Sequence, residues 1–341
     1  MKSIKSPLLL AGTVLLLAAL AGAGIAFLGG EESPVGETIL VTGGTGADIS
    51  DSSAVETTKA DVDWGSTVEV DGVRYRLNSD LQTVLFLGVD DGSETLPGTA
   101  PGEGRRADTI FLLLMDDSNR QIKLLAISRD TIADVDVYDV NGDYAYTAPT
   151  HINMQYFYGD SSSRSCFLMK RAVSRLLYGM RMDGCLSLNA KGIVSIVDNL
   201  GGLTVTMPDD YTEIDPRYQA GAKLTLTGSE TEHLLRHRDT DVHGSNEDRV
   251  ERQVRLIKAL VEKLQSSTSA GKLEDLLDSA GKEVCSDLDA ETLKKLVTYR
   301  LDPETMTLPG TVAEGTNHDE FHVDEAALRA LLIALFYQPI E

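Results

Sequence analysis

Three apolar runs, of which only the third contains a charged residue, Lys123, constrain the fold of this chain more than any other feature of its sequence. They cover residues 84–89, 110–115 and 122–127 and consist largely of Val, Leu, Ile and Phe. Runs of this length without polar alternation are typical of strands that are covered on both faces. Stretches of helical periodicity follow at 169–180, 193–200 and 328–335. The sequence therefore predicts an α/β domain around a mostly buried sheet.

Charged residues stand at the ends of these predicted strands. Asp90 follows the first run, Arg106 and Asp108 precede the second, and Arg129 and Asp130 follow the third. In open α/β sheets, ligands bind at strand ends, so these positions are candidates for a functional site. The alternative is that the aspartates serve only as turn or cap residues.

The N-terminal segment predicts export. Residues 7–29 contain no charge and would form a helix of about 35 Å, long enough to cross a bilayer. Two lysines precede this segment and two glutamates follow it, which places residues 1–6 in the cytoplasm and the remainder outside the cell membrane. A cleaved signal peptide ending near Ala21–Ala23 is the alternative, but the apolar run continues past that point and favours a single-pass anchor.

Composition divides the exported part into a linker, a hairpin and a main domain, and it argues against nucleic acid as a partner. The formal net charge of −22 argues against nucleic-acid binding. Residues 30–66, rich in Gly, Ser, Thr and acid, predict an extracytoplasmic linker. Residues 67–80 predict a hairpin that turns at Asp71–Gly72, and residues 81–341 form the main domain. The three cysteines show no disulfide or metal pattern and are interpreted as small buried side chains.

Cations concentrate in residues 233–258, which hold six of the 31 Lys and Arg residues. An apolar stripe predicts a helix that starts near Asn246, and helix N-termini attract anions. Arginine favours bidentate binding of an anion such as phosphate. Four arginines of this segment are candidates for that role: Arg236, Arg238, Arg249 and Arg252. The alternative is that acids in the same segment pair with these cations on a solvated surface.

Taken in order, six motifs resemble those of the LytR-CpsA-Psr family. Members of this family are membrane-anchored enzymes of the bacterial cell envelope. They are TVLFLGVD at 83–90, RADTI at 106–110, SRDT at 128–131, HIN at 151–153, VDNLGGLTV at 197–205, and R-x-R followed by R-x-x-R-Q at 236–253. The motifs cover a core of about residues 81–265. The resemblance implies a mixed central sheet flanked by helices.

The resemblance also implies an activity and a site. Family members transfer a teichoic acid, capsule or related glycopolymer from undecaprenyl pyrophosphate to peptidoglycan through a phosphodiester, and release undecaprenyl phosphate. By position, Asp90 and Asp108 match carboxylates that hold Mg2+, and together with Arg129 they are the expected catalytic residues. The expected substrate-binding residues are Arg106, Arg236, Arg238, Arg249, Arg252, Gln253, His151 and Asn153.

Two positions depart from the family pattern. His151 stands where the family commonly has Lys, and Asn246 stands where it often has Asp. Two other functions are compatible with the same site. One is a polyprenyl-pyrophosphate hydrolase, and the other is a non-catalytic, wall-associated binding or regulatory protein.

Overall fold

The computed structural model describes residues 64–90, 105–207, 209–237, 255–256, 259–260, 263, 275–276, 279–315 and 319–340. Its strands are β1 (Thr67–Val70), β2 (Val73–Leu77), β3 (Leu81–Val89), β4 (Ala107–Asp116), β5 (Gln121–Ile127), β6 (Ile132–Tyr138), β7 (Tyr144–His151), β8 (Gly184–Asn189), β9 (Leu203–Thr206), β10 (Lys223–Leu226), β11 (Val284–Ser286), β12 (Arg300–Thr307), β13 (Gly310–Glu314), β14 (Asp319–Val323) and β15 (Tyr337–Pro339). Its helices are α1 (Met154–Phe157), α2 (Ser162–Leu176), α3 (Ala190–Asn199), α4 (Gly228–Arg236), α5 (Ala290–Thr298) and α6 (Glu325–Phe336).

Within the described part of the chain, six strands form the central sheet in the order β11-β8-β3-β4-β5-β12. Strand β4 runs antiparallel to both β3 and β5, whereas β8 is parallel to β3 and β12 is parallel to β5. The sheet is therefore mixed, as predicted. The three apolar runs occupy β3, β4 and β5, and almost every residue of β3 and β4 is buried.

Helices cover both faces of this sheet. Alternate residues of each strand face opposite sides, so Phe86 belongs to one core and Leu85 to the other. Helices α3, α4 and α5 contribute to the core around Phe86, and helices α1, α2 and α6 contribute to the core around Leu85. Double coverage explains why the central strands lack polar alternation.

Local sequence determines where several helices begin and end. The Thr227 hydroxyl accepts a hydrogen bond from Glu230 N, and the Glu230 carboxylate accepts one from Thr227 N, so a capping box opens α4. Helix α3 ends before Gly201, whose φ of 74° lies in the left-handed region that glycine tolerates. The predicted helix over 328–335 lies within α6 and packs into the core.

The hairpin predicted at 67–80 is formed by β1 and β2. It turns at Asp71 and Gly72, with φ values of 53° and 76°. Strand β2 also pairs with β15, so the lead-in hairpin is joined to the C-terminal end of the chain.

The three cysteines meet in the structure although they are far apart in the sequence. Cys166 lies on α2, Cys185 on β8 and Cys285 on β11, and all three are free thiols. Strand pairing sets Cys285 opposite Ser187, and the Cys166 thiol hydrogen-bonds with the thiols of both other cysteines. The burial prediction is confirmed for Cys166 and Cys185, whereas Cys285 is half-buried.

The predicted anchor at 7–29 lies outside the described residues, as does the linker up to residue 63. Among the helices of the described ranges, none is long and apolar enough to span a membrane.

Candidate active site

Three strand ends meet at one edge of the central sheet. Because β3 and β5 both run antiparallel to β4, the end of β3, the start of β4 and the end of β5 are neighbours. Asp90 N donates to Arg106 O at 3.1 Å, and Arg106 N donates to Asp90 Oδ1 at 2.8 Å. The Asp90 carboxylate is thereby fixed beside the first residues of β4.

Asp108 occupies a β-bulge. Gly88 pairs with Thr109 and Val89 pairs with Ala107, so Asp108 is the extra residue on β4. Bulges bend a strand and redirect a side chain, and they are common beside active sites. The Asp108 residue is only 6% exposed. A carboxylate buried to this degree requires partners, because ions lose their hydration inside a protein.

Arg129 is the main partner of Asp108. Its Nη1 lies 3.0 Å from Asp108 Oδ1, and its Nε lies 3.3 Å from Asp130 Oδ1. Burial alone would lower the pKa of the Arg129 guanidinium, but the charges of Asp108 and Asp130 outweigh burial and raise its pKa. Arg129 is therefore a fixed positive charge. Asp130 was a candidate only by its place at a strand end, since the family motifs assign it no role.

Asn153 adds an amide to this cluster. Its Nδ2 lies 3.4 Å from Asp108 Oδ1, while its main chain bonds to Arg129 O at 3.4 Å and to Ala107 N at 3.5 Å. The Asn153 Oδ1 atom is buried and accepts no hydrogen bond from any residue that the structure describes. A buried acceptor without a donor costs about 1–3 kcal/mol, which a ligand or ion at the site would offset.

His151 reaches the same edge as the last residue of β7. It pairs with Ile132, and Ile152 N donates to Thr131 O at 2.8 Å. The segment 151–153 therefore lies beside 129–131. Phe321 N donates to Asp130 O at 2.9 Å, so β14 supports this loop from the other side.

The remaining predicted residues are not brought to this cluster by the described contacts. Arg236 ends α4 and forms an ion pair with Glu232 one turn earlier. Four further predicted residues lie outside the described ranges: Arg238, Arg249, Arg252 and Gln253. The structure thus gathers Asp90, Arg106, Asp108, Arg129, His151 and Asn153 at one sheet edge.

The donor set at this edge suits a hard divalent cation. No group of three or more His, Cys, Asp or Glu side chains with metal-site geometry occurs among the described residues. Mg2+ does not require one, since it commonly takes one or two carboxylates and completes its shell with water and substrate phosphates. The carboxylates of Asp90 and Asp108, with the unused oxygen of Asn153, fit that requirement.

A family model covers most of the chain, from residue 45 to residue 335. This protein belongs to the LytR_cpsA_psr family. The resemblance of the six motifs is therefore confirmed.

Sequence relatives agree with this membership. The polyisoprenyl-teichoic acid–peptidoglycan teichoic acid transferase TagU of Halalkalibacterium halodurans is 25% identical over 69% of this chain and 70% of its own length. The transferase TagV of Bacillus subtilis is 24% identical over 59% of this chain and 48% of its own. The match to a Staphylococcus aureus relative, SAOUHSC_00997, likewise spans about half of that protein, at 51%.

Solved structures share the fold. B. subtilis TagU aligns with 77% of this chain and 100% of its own, with a TM-score of 0.54 and 20% identity. The structure titled TagT bound to LI-WTA aligns with 75% of this chain and 90% of its own, with a TM-score of 0.55 and 20% identity.

Proposed function

We propose that this protein transfers a glycopolymer, such as a teichoic acid or capsular polysaccharide, from undecaprenyl pyrophosphate to peptidoglycan. The observation that carries the proposal is the cluster at the sheet edge, where a buried carboxylate, a fixed guanidinium and an amide meet at the ends of three strands. Family membership and relatives that are named teichoic acid–peptidoglycan transferases support it.

Phosphoryl transfer needs charge stabilisation more than covalent help. An acceptor hydroxyl attacks the sugar-side phosphorus, a P–O bond of the pyrophosphate breaks, and undecaprenyl phosphate leaves. A carboxylate at the strand ends takes the hydroxyl proton. Arg129 remains charged throughout because the pKa of its guanidinium is raised by Asp108 and Asp130 against the effect of burial. Asp108, held by Arg129 and Asn153, keeps one orientation.

Mg2+ belongs to the proposal as the cofactor. Asp90 and Asp108 would hold it, and the ion would neutralise the charge of the diphosphate. This assignment predicts that chelation abolishes transfer and that added Mg2+ restores it. Transfer that continues at full rate in a chelator would contradict it.

The same proposal places the site outside the cell membrane. The uncharged segment 7–29, preceded by lysines, is of the length that a single-pass anchor needs. An anchor with its N-terminus in the cytoplasm would hold the domain near a lipid-linked donor.

The test uses the full-length chain with lipid-linked donor, Mg2+ and peptidoglycan. We expect Asp108→Asn and Arg129→Lys each to lower kcat by about 100-fold, because each removes charge or geometry used in the transition state. Asp117→Asn and Arg120→Lys are matched controls, since both lie in the β4–β5 connection at the opposite ends of the same strands. The controls should retain activity.

The same assay separates the alternatives. Lipid phosphate released without polymer linked to the wall would identify a hydrolase. Donor binding without turnover would identify a binding or regulatory protein. Undiminished transfer by both site variants would refute the site assignment.

A further inference from the structure

Gln155 is completely buried in the one-turn helix α1, two residues after Asn153 of the candidate active site. Glutamine is seldom fully buried, because its amide must then find partners for both its acceptor and its donor. One residue of strand β6 supplies both: Asp136 N donates to Gln155 Oε1 at 2.8 Å, and Gln155 Nε2 donates to Asp136 O at 3.0 Å. The side chain of Gln155 therefore binds α1 to β6 with the same pair of hydrogen bonds that a neighbouring strand would form.

These hydrogen bonds satisfy an otherwise open strand edge. In the described part of the chain, β6 belongs to a two-stranded sheet with β7, so the main-chain groups on its other edge need different partners. Gln155 serves Asp136, and the guanidinium of Arg175 on α2 donates to Asp134 O at 3.0 Å. Helix α1 therefore has a defined position relative to the strand that follows Arg129.

Strand β6 is a rigid support at this point. The carboxylate of Asp136 is buried and forms ion pairs with Arg175 at 3.1 Å and with Arg171 at 3.2 Å, both from helix α2. It also accepts a hydrogen bond from Thr147 Oγ1 of β7 at 2.7 Å. The side chain of Asp136 is thus bound to α2 and β7, while its main chain is bound to Gln155 of α1. A buried polar network whose members are hydrogen-bonded in this way restricts the motion of the elements it joins.

Helix α1 needs such a support because a single helical turn is not stable by itself. Asn153 occupies its N-cap position but makes no side-chain capping hydrogen bond. Asparagine at an N-cap usually accepts a hydrogen bond from the first turn, whereas here Asn153 Nδ2 lies 3.4 Å from Asp108 Oδ1. The direction of this amide therefore depends on how the adjoining turn is fixed to the rest of the protein.

We infer that Gln155 is a positioning residue, which holds the Asn153 amide at Asp108 by binding helix α1 to Asp136. A role in the reaction rests on the proposed function. Gln155 is completely buried and acts through Asn153, so it is not itself a catalytic residue. Loss of its two hydrogen bonds should slow the transfer step without weakening the binding of the acceptor, because no surface that an acceptor could contact is changed.

The first test compares kcat and KM in the full-length chain, with a radiolabelled lipid-linked donor so that slow variants remain measurable. Gln155→Met keeps the length of the side chain and removes both hydrogen bonds to Asp136. We expect kcat to fall about tenfold, as is typical when a group that orients a metal-site residue is lost, while KM for peptidoglycan is unchanged.

Two controls remove a side-chain hydrogen bond without touching Gln155. Gln82 Nε2 donates to Thr292 Oγ1 at 3.0 Å near the start of β3, at the end of that strand remote from the site, and Gln82→Met removes this bond. Thr147→Val removes the hydroxyl that donates to the Asp136 carboxylate. Both controls should keep the kcat of the wild type even where the melting temperature falls. If kcat follows the melting temperature across all three variants, the role of Gln155 is merely structural and the inference is overturned.

The second test is a double-mutant cycle of Gln155→Met with Asn153→Ala. If Gln155 acts through Asn153, the substitution at 155 should change kcat by less than about twofold once the Asn153 amide is gone. Gln155→Glu keeps the length of the side chain and an acceptor for Asp136 N, and the same cycle with this variant decides the question where the Met variant does not fold. Independent losses, which multiply in the double variant, would contradict the inference.

A crystal structure of the position-155 variant separates this inference from the proposed function. We expect Asn153 Nδ2 to move out of hydrogen-bonding range of Asp108 Oδ1. If the wild type transfers polymer but this contact is unchanged in the variant, the positioning role fails while the function stands. If the wild type transfers no polymer, the proposed function fails, and the position of the Asn153 amide in the variant alone decides whether Gln155 holds it.

Discussion

Asp108 and Arg129 depend on each other because both side chains are buried at the sheet edge, with 5% and 11% of their respective side chains exposed. A buried ion pair adds little over a well-packed apolar pair, but removing one partner leaves an uncompensated charge. Substituting only one of the two residues should therefore lower the free energy of unfolding more than substituting both.

We expect Arg129→Met to lower the free energy of unfolding by about 3 kcal/mol, because Asp108 would keep its charge without its main partner. Adding Asp108→Asn should recover part of that loss, since the stranded charge is removed. Urea unfolding of the two single variants and the double variant measures the coupling. Arg181→Met, in an exposed pair with Asp183, should leave the unfolding midpoint nearly unchanged. Additive effects at 108 and 129 would contradict the buried pair.

The residue types of this site could be predicted from the sequence, but its contacts could not. Asp90, Asp108 and Arg129 stand at strand ends that apolar runs reveal, and the family motifs add Asn153. The bulge at Asp108 depends on the register between β3 and β4, which no local pattern encodes. The unused acceptor of Asn153 likewise emerges only when residues 107, 129 and 153 are brought together.

At the scale of elements, helix α4 provides a pH-dependent contribution to stability. The Thr227 main-chain N–H and the Arg217 guanidinium lower the pKa of Glu230 in the folded protein. A carboxylate whose folded pKa is lowered stabilises the fold fully above its unfolded pKa of about 4.3, and this contribution is lost as the pH falls through the folded value. We expect Glu230→Gln to be less stable than the wild type at pH 7, with the difference shrinking below about pH 4. Thermal unfolding at several pH values measures this, and a difference that is constant with pH would refute it.

Helices α3 and α4 approach each other closely at Gly228. A Cβ at this position would lie 2.3 Å from Val194 O, which belongs to the backbone of α3. The clash can therefore be relieved only if one of the two helices moves. We expect Gly228→Ala to destabilise the protein by about 1–3 kcal/mol despite its better helix propensity. Ser229→Ala, at the next and exposed position of α4, is the matched control. A Gly228→Ala protein as stable as this control would show that the helices can separate without cost.

Elements with local determinants were predictable, whereas the hairpin of β6 and β7 was not. Apolar runs mark β3 to β5 in the sequence, and helical periodicity marks α2, α3 and α6. In β6, buried Asp136 interrupts the apolar pattern, and its partners Arg171 and Arg175 come from a helix more than thirty residues later. A buried charge with distant partners hides a strand from pattern analysis.

At the scale of the whole molecule, the packing of α2 against β8 and β11 makes one cluster of thiols out of three isolated cysteines. Cys166 and Cys185 are buried in the same core, and Cys285 lies at its margin. Cys185 and Cys285 are 100 residues apart in the sequence, so only the complete fold brings them together. Their chemistry therefore reports on the integrity of the fold.

The reactivity of these thiols should follow global unfolding. A hydrogen bond with the Cys185 thiol, together with burial, raises the pKa of Cys166. A hydrogen bond with the Cys166 thiol, together with burial, raises the pKa of Cys285. Since the thiolate is the reactive form, little of either group is nucleophilic at pH 8. We expect mass spectrometry after iodoacetamide treatment to find Cys166 and Cys185 unmodified in the native protein and all three modified in urea.

The half-buried Cys285 makes this prediction specific. If burial alone protected the thiols, Cys285 would react in the native state because a probe can reach it. The alternative is that the hydrogen bond with the Cys166 thiol protects Cys285. In Cys166→Ser, the serine hydroxyl replaces this thiol as a weaker hydrogen-bond partner, whereas Cys166→Ala removes the partner altogether. Iodoacetamide should therefore modify Cys285 faster in the Ala variant than in the Ser variant. Equal modification rates of Cys285 in the wild type and in Cys166→Ala would assign its protection to burial and disprove the coupling between the thiols.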